Sequence, residues 1–354
     1  MLGLSRIEVV VLGAITFFTA AAGVAHYRGL TPLLAFGLAT LALAGLAWIV
    51  SFSTEQVGER LGPAATGVLQ STLGNLPEFF VVIFALSAGK TVVAQTAIVG
   101  SVLANALLVL GLAIMAGAYV SKDKIMRFSP RLPNDTATLL LLAVFIIALV
   151  GIAISSEHGK IEHHLVAVST VASISLLVVY GAWLVPYVRR GLGTEATHAQ
   201  ARVGMRTAIV LLLVAGSSSA FVSDWFVAAL TPSMDKLNLS EAFAGLVIVA
   251  IAGNAVENVA GIVLAAKGQP DLAVSIVKNS VAQIACFLFP VLVLVSLLFA
   301  TPLTFAMPPL LIGALVLTAV AVWQITGDGE AAMFEGLALV ALYVLVATIT
   351  LYAG

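Results

Sequence analysis

The sequence predicts an all-α integral membrane protein of about eleven transmembrane helices, one leading helix plus two inverted five-helix repeats with broken helices at the midplane. Three observations carry that prediction. Hydrophobic residues make up 61% of the 354 and charged residues 9%, with a mean hydropathy of +1.13, where a soluble domain carries about 45–50% apolar and about 25% charged residues. Apolar runs of the length a bilayer needs, roughly 20 residues, follow one another from end to end. A short polar motif, Gly-Asn-x-x-Glu, occurs twice inside those runs.

The same arithmetic excludes a soluble enzyme and a disordered chain. A net charge of −1 leaves no basic footprint for nucleic acid. The single cysteine, Cys286, excludes a disulfide framework and a multi-cysteine metal site. The expected spans are 7–25, 32–53, 63–88, 91–119, 136–155, 163–187, 206–230, 242–266, 270–299, 308–326 and 333–352. The first follows one charge, Arg6, with no small-residue cleavage pattern after it, so it reads as a retained span rather than a signal peptide. The polar stretch 190–205 reads as a cytoplasmic linker. The domains expected are therefore a leading helix at 1–30, a first repeat at 31–189, the linker, and a second repeat at 206–354.

Lysine and arginine set the orientation. With the N-terminus inside, eleven lie in inner loops and four (Arg28, Lys90, Lys160, Lys236) in outer ones; Lys278 falls within a span. That bias predicts a cytoplasmic N-terminus and an outer C-terminus. The expected location is the plasma (inner) membrane rather than an organelle membrane, with lipid as the surrounding partner. A homo-oligomer is left open.

The third span contains Gly74-Asn75-Leu76-Pro77-Glu78 and the eighth Gly253-Asn254-Ala255-Val256-Glu257, 179 residues apart. At that offset Gly89 meets Gly268 and Ser101 meets Ser280, and nine of the 38 positions from Gly74 to Gly111 are identical. Apolar bias accounts for part of this, so the weight rests on the Gly, Asn, Glu and Ser matches. Spans five apart cross in opposite directions, which makes the repeats inverted. Inverted repeats place a binding site near the midplane, between helices interrupted at matching positions.

The interruptions have chemistry. Pro77 has no N–H, so the Leu73 carbonyl loses its helical partner and the helix should break. Gly74 and Gly253 ease the local unwinding. Freed carbonyls at this depth must face protein or a water-filled cavity. Asn75 and Glu78 are three apart, as are Asn254 and Glu257, so each pair shares a face where helix persists. Two carboxylates, two amides and loose carbonyls form an all-oxygen environment suited to a hard cation such as calcium. Intramembrane glutamates are costly and mark function more often than structure.

At these residues the chain resembles the calcium/cation antiporter superfamily, most closely its cation/proton exchanger (calcium/proton antiporter) branch. The resemblance rests on two stretches, Gly74 to Gly111 and Gly253 to Pro290, and on Asp328-Gly329 with Phe334-Glu335-Gly336. It implies exchange of cytosolic calcium for protons, with no cofactor. It implies that Glu78 and Glu257 bind metal ion and proton alternately, with Asn75 and Asn254 beside them and Gly74, Pro77 and Gly253 lining the site. Ser101 and Asn105, with Ser280 and Gln283, would complete the polar lining.

The chain departs from that branch at Asn258, where histidine is usual, at Asn279, where glycine is usual, and at the neighbouring Lys278. Pro77 is more like the sodium/calcium exchanger pattern, but position 284 is Ile rather than an acid. Lys278 has two readings: a long side chain snorkelling to the interface, or a built-in cation paired with Glu257 or Asp224. Asp224, after Ser223, reads as a proton-path acid or a hydrogen-bonded structural one. With Asn258 and Lys278 it forms the group of selectivity candidates. His158, His163 and His164 read as a solvated outer loop, and Asp328, Glu330 and Glu335 as a cytoplasmic turn. Competing functions are a sodium- or potassium-coupled exchanger and a passive cation channel. An intramembrane enzyme would need a nucleophile–base pair or a histidine metal motif within the spans, which this inventory lacks.

Overall fold

The computed structural model describes residues 4–61, 73–156, 162–191 and 202–352. They are almost entirely helical. The helices are α1 (Arg6–Tyr27), α2 (Pro32–Leu61), α3 (Leu76–Ser87), α4 (Thr91–Val120), α5 (Arg131–Ser156), α6 (Leu165–Gly191), α7 (Met205–Leu237), α8 (Glu241–Gly253), α9 (Ala255–Ala266), α10 (Pro270–Ser296), α11 (Pro309–Thr326) and α12 (Met333–Tyr352). Among the described residues, nine are long and apolar enough to cross a membrane. The two expected spans outside that nine, 63–88 and 242–266, contain the Gly-Asn motifs. A turn at Gly74 and Asn75 precedes α3, and a single turn residue, Asn254, divides α8 from α9. Residues 62–72 and most of the linker, 192–201, lie outside the described residues, as does His158.

The breaks follow from local chemistry. Pro77 sits in the first turn of α3, where its missing N–H costs nothing because that donor has no intrahelical partner. No proline marks the second break, which falls between Gly253 and Ala255 at the matched asparagine. Elements recur at the 179-residue offset. The bounds of α9 are those of α3 moved by that number, and the α3–α4 and α9–α10 turns carry Gly89 and Gly268 at φ +70° and +73°, a conformation only glycine adopts without steric cost. Inside α4 a π-helical turn spans Ala104–Val109, and inside α10 another spans Ile284–Leu288. Such turns are inserted into helices frequently at functional sites.

The chain divides into two compact units, each drawing on both halves of the sequence. The first comprises 1–88, 181–239 and 252–256; the second comprises 89–180, 240–251 and 257–354. In the first, α2 packs along α7, with α1 and α3 against that pair. Phe36 and Phe226 meet at 5.0 Å, and Trp225 stacks on His26 at 5.9 Å. The linker's last residues dock here: the buried Gln56 amide oxygen accepts from the backbone N–H groups of Arg202 and Val203 at 2.9 and 3.2 Å.

In the second unit, α4 packs on α8, α10 and α12, and α5 on α10 and α11. A two-stranded antiparallel sheet, absent from the sequence reading, pairs β1 (Ile125–Arg127) with β2 (Glu330–Ala332). Met126 points inward, fully buried against Gly117. Arg127 points outward and bridges Asp123 at 2.7 Å and Glu330 at 3.1 Å. The hydrogen bond from Arg127 holds the Asp123 carboxyl below its usual range. The turn acids expected near 328–335 are used locally: Asp328 accepts from the Glu330 N–H at 3.0 Å and Glu335 from the Ala332 N–H at 2.7 Å.

Candidate ion-exchange site

Glu78 is the third residue of α3 and is 7% exposed. Its carboxylate therefore stands in a first turn, where backbone N–H groups are free and the helix dipole favours negative charge. Glu257 is the third residue of α9, the same helical address. The side chains of Glu257 and Asn258 lie outside those described.

The first unit brings together residues from both motifs. The Asn254 side-chain amide donates to Glu78 Oε1. Gly253 makes room for that carboxylate, since a Cβ there would stand 2.7 Å from Glu78 Cγ and 3.1 Å from Oε1. Asn75, expected to share a helical face with Glu78, instead precedes the helix with φ −96° and ψ 20°, caps nothing with its side chain, and is buried. Its Nδ2 has no hydrogen-bond partner among the described residues. Leu76 reaches α7, where a Cβ on Gly216 would lie 3.5 Å from Leu76 Cδ1.

The second unit holds Ser101, Asn105, Lys278, Ser280 and Gln283. Ser101, Asn105 and Ser280 are buried and Gln283 is partly so. Asn105 is the second residue of the π-helical turn of α4, donates its Nδ2 to the Ser101 carbonyl at 2.9 Å, and leaves a buried Oδ1 without a partner among the described residues. A buried amide oxygen in that condition calls for a functional explanation. Val277 and Val109 converge on Gly261, at 2.7 and 3.8 Å from a Cβ built there, which brings α10 and the π-helical turn together beside α9.

The selectivity candidates separate. Lys278 is 2% exposed, and its Nζ donates to Thr326 Oγ1 at 2.7 Å, at the C-terminal end of α11. A cation there complements the negative end of that helix. Lys278 is two residues from Ser280, about 200° around the helix, so the two point to different sides of α10. Asp224 lies mid-way along α7 and is exposed. His163 and His164 are exposed in a short 3-10 turn. Among the described residues no cluster of three or more His, Cys, Asp or Glu could hold a metal ion.

Sequence reasoning missed the cross-repeat pairing of Asn254 with Glu78, the Thr326 partner of Lys278 and the small sheet. The first left a trace, because each motif carries one donor amide and one carboxylate. The other two left none.

Comparison with known proteins gives the family. Residues 31–187 and 207–352 match the family model described as sodium/calcium exchanger protein. A vacuolar calcium ion transporter of Schizosaccharomyces pombe is 31% identical over 326 residues, covering 88% of this chain and 77% of the relative. The Ca2+/H+ antiporter ChaA of Bacillus subtilis is 31% identical over 320 residues, covering 88% and 90%. The solved structure of a Ca2+/H+ antiporter protein, YfkE, superposes with a TM-score of 0.82 at 26% identity, covering 97% of this chain and 99% of that one. The chain is a multi-pass integral membrane protein, and it belongs to the sodium/calcium exchanger protein family.

Proposed function

We propose that this chain is a secondary-active antiporter that exchanges cytosolic calcium for protons by alternating access. The observation that carries the reading is the Glu78 carboxylate, buried at the start of a broken helix and held by the amide of Asn254 from the other motif. The names of the relatives, calcium ion transporter and Ca2+/H+ antiporter, support the choice of ions.

Charge balance supplies the mechanism. Bare carboxylates are costly at membrane depth, so Glu78 and Glu257 each carry a proton or share a cation whenever the site is between openings. One divalent ion and two protons are equivalent loads, and the site alternates between them. Asn254 keeps Glu78 oriented in either state, because its amide donates to a carboxylate and, more weakly, to the carbonyl oxygen of the acid. The two inverted halves, 31–189 and 206–354, supply one glutamate each; the recurrence of α3 and α4 as α9 and α10 supports that division. The lysine and arginine bias supports a cytoplasmic N-terminus; the membrane we assign is the plasma (inner) membrane.

The test is calcium uptake into sealed vesicles driven by an imposed pH step, repeated with manganese and with sodium. Uptake against a calcium gradient that collapses with the pH step is expected. Flux that only dissipates gradients would mean a channel, and uptake that follows sodium instead of pH would mean a sodium-coupled exchanger.

A further inference from the structure

In the second unit, the end of α4, the strand β1 and the turn between α9 and α10 enclose a cavity of about 190 Å3. Ser121, Ile125 and Arg127 line one side of it, and Ala265, Gly268 and Pro270 the other. Ile125 and Arg127 share a face of β1 because side chains alternate along a strand, while Met126 turns into the core. The space exceeds what a single water molecule fills. It plays no part in the exchange scheme.

The surroundings of the cavity are cationic. Arg127 gives Nη1 to Asp123 at 2.7 Å and Nε to Glu330 at 3.1 Å. Those contacts hold the guanidinium in place and leave Nη2 with no partner among the described residues, although both of its N–H groups can donate. Lys122 and Lys267 adjoin the lining residues Ser121 and Gly268, and both are exposed. Neither forms an ion pair among the described residues. The neighbouring acids are already engaged. Arg127 takes Asp123 and Glu330, and Asp271 accepts from the Ser129 N–H at 2.6 Å.

The end of α4 sets the depth. Lys124, at φ +61°, folds back so that its Nζ donates to the Tyr119 carbonyl at 2.9 Å and stands 4.5 Å from the centre of the Tyr119 ring. Tyr119 and Val120 are 68% and 54% exposed on the last turn of a helix of membrane-spanning length. Exposed tyrosine with lysine beside it at the end of a span marks the bilayer surface. The cavity therefore lies at the level of phospholipid headgroups.

We propose that this cavity seats the phosphate of an anionic glycerophospholipid. Arg127 Nη2 and Lys267 are its donors, and the acyl chains lie along Tyr119 and Val120. A guanidinium fork suits phosphate oxygens, and basic pockets between helices at the membrane surface recognise lipid headgroups in this way. Val120 favours a lipid over free phosphate, because it lines the cavity and also joins the exposed apolar surface of α4. A seated headgroup ties β1 to the α9–α10 turn and so braces the start of α10. The role does not depend on which ions the protein moves.

The experiment titrates delipidated protein in neutral detergent with phosphatidylglycerol or with phosphatidylcholine. Bound lipid is counted by native mass spectrometry and stability is followed by thermal unfolding. Phosphatidylglycerol should bind at about one molecule per chain and raise the unfolding temperature. Phosphatidylcholine, with the same phosphate but no net charge, should bind about fivefold more weakly or worse. Arg127→Gln and Lys267→Gln should each weaken phosphatidylglycerol binding about fivefold, the weight of one basic residue near an anionic surface. Lys267→Gln, on an exposed turn, serves if the arginine variant does not fold. Ile125→Trp fills the cavity without changing a charge and should weaken binding at least as much, whereas Lys236→Gln at the end of α7 should not. Equal binding of the two lipids, or parent affinity in the folded Lys267 or Ile125 variant, overturns the proposal. Inorganic phosphate that stabilises the protein as well as the lipid does at the same concentration overturns the assignment to lipid.

Discussion

The amide of Asn254 donates to the carboxylate of Glu78 across 176 residues of sequence. One motif thus supplies the acid and the other its hydrogen-bond donor. The Glu78 copy of Gly-Asn-x-x-Glu is therefore completed by the asparagine of the other copy.

Glu78→Gln should fold and insert normally, because glutamine keeps the shape and an oxygen for Asn254 to donate to. It removes the charge that alternates between proton and cation, so calcium uptake in vesicles should fall to background. Uptake at the parent rate would end the mechanism.

Asn254→Ala removes the donor while leaving the acid. A hydrogen bond to a charged group is worth about 1.5–3 kcal/mol, so apparent calcium affinity should weaken by roughly tenfold or more. Uptake measured against calcium concentration reads this directly.

Gly253→Ala places a methyl 2.7 Å from Glu78 Cγ. Overpacking of that kind costs about 1–3 kcal/mol, and here it also displaces the carboxylate. Both thermal stability in detergent and uptake should drop. Gly181→Ala in α6, where a Cβ meets nothing within 4 Å, should be neutral or slightly stabilising by the same measurement.

Lys278 and Thr326 call for a double-mutant cycle. Thr326→Val leaves a buried ammonium without its hydroxyl and should cost about 1–3 kcal/mol. Lys278→Met replaces the buried charge by an apolar chain of similar length and should cost less. On the Lys278→Met background, Thr326→Val should be nearly silent in a thermal unfolding assay.

The small sheet separates packing from surface charge. Met126→Ala should destabilise by about 2–5 kcal/mol, the cost of truncating a buried methionine. Arg127→Ala should leave the unfolding temperature unchanged, since Arg127, Asp123 and Glu330 are all half exposed. The carboxyl of Asp123 is held low in the folded state, so whatever the pair contributes is present above the ordinary carboxylate range and is lost only as pH falls through its lowered value. A pH step between neutral and mildly acid should not disturb it, as unfolding curves at the two values would record.

Much of the molecule was legible beforehand for a local reason. Hydropathy along a helix is a property of consecutive residues, so the bounds of α1, α4, α10, α11 and α12 fall within a few residues of the expected spans. The motif breaks were legible at Pro77, where a missing N–H announces itself, and at Asn254 only through the repeat. The Thr326 partner of Lys278 was not legible, because it is 48 residues away on a helix whose packing the sequence does not state.

Composition and periodicity alone therefore determined that this chain lives in a bilayer, where its helices begin, and which two acids recur in matched motifs. Those properties depend on solvent preference and on bonds between near neighbours. Tertiary structure alone decided which amide serves which carboxylate, what a buried lysine leans on, and that Gly100 meets the backbone of Leu246. Those are meetings between distant segments, and only the packing of whole helices selects them.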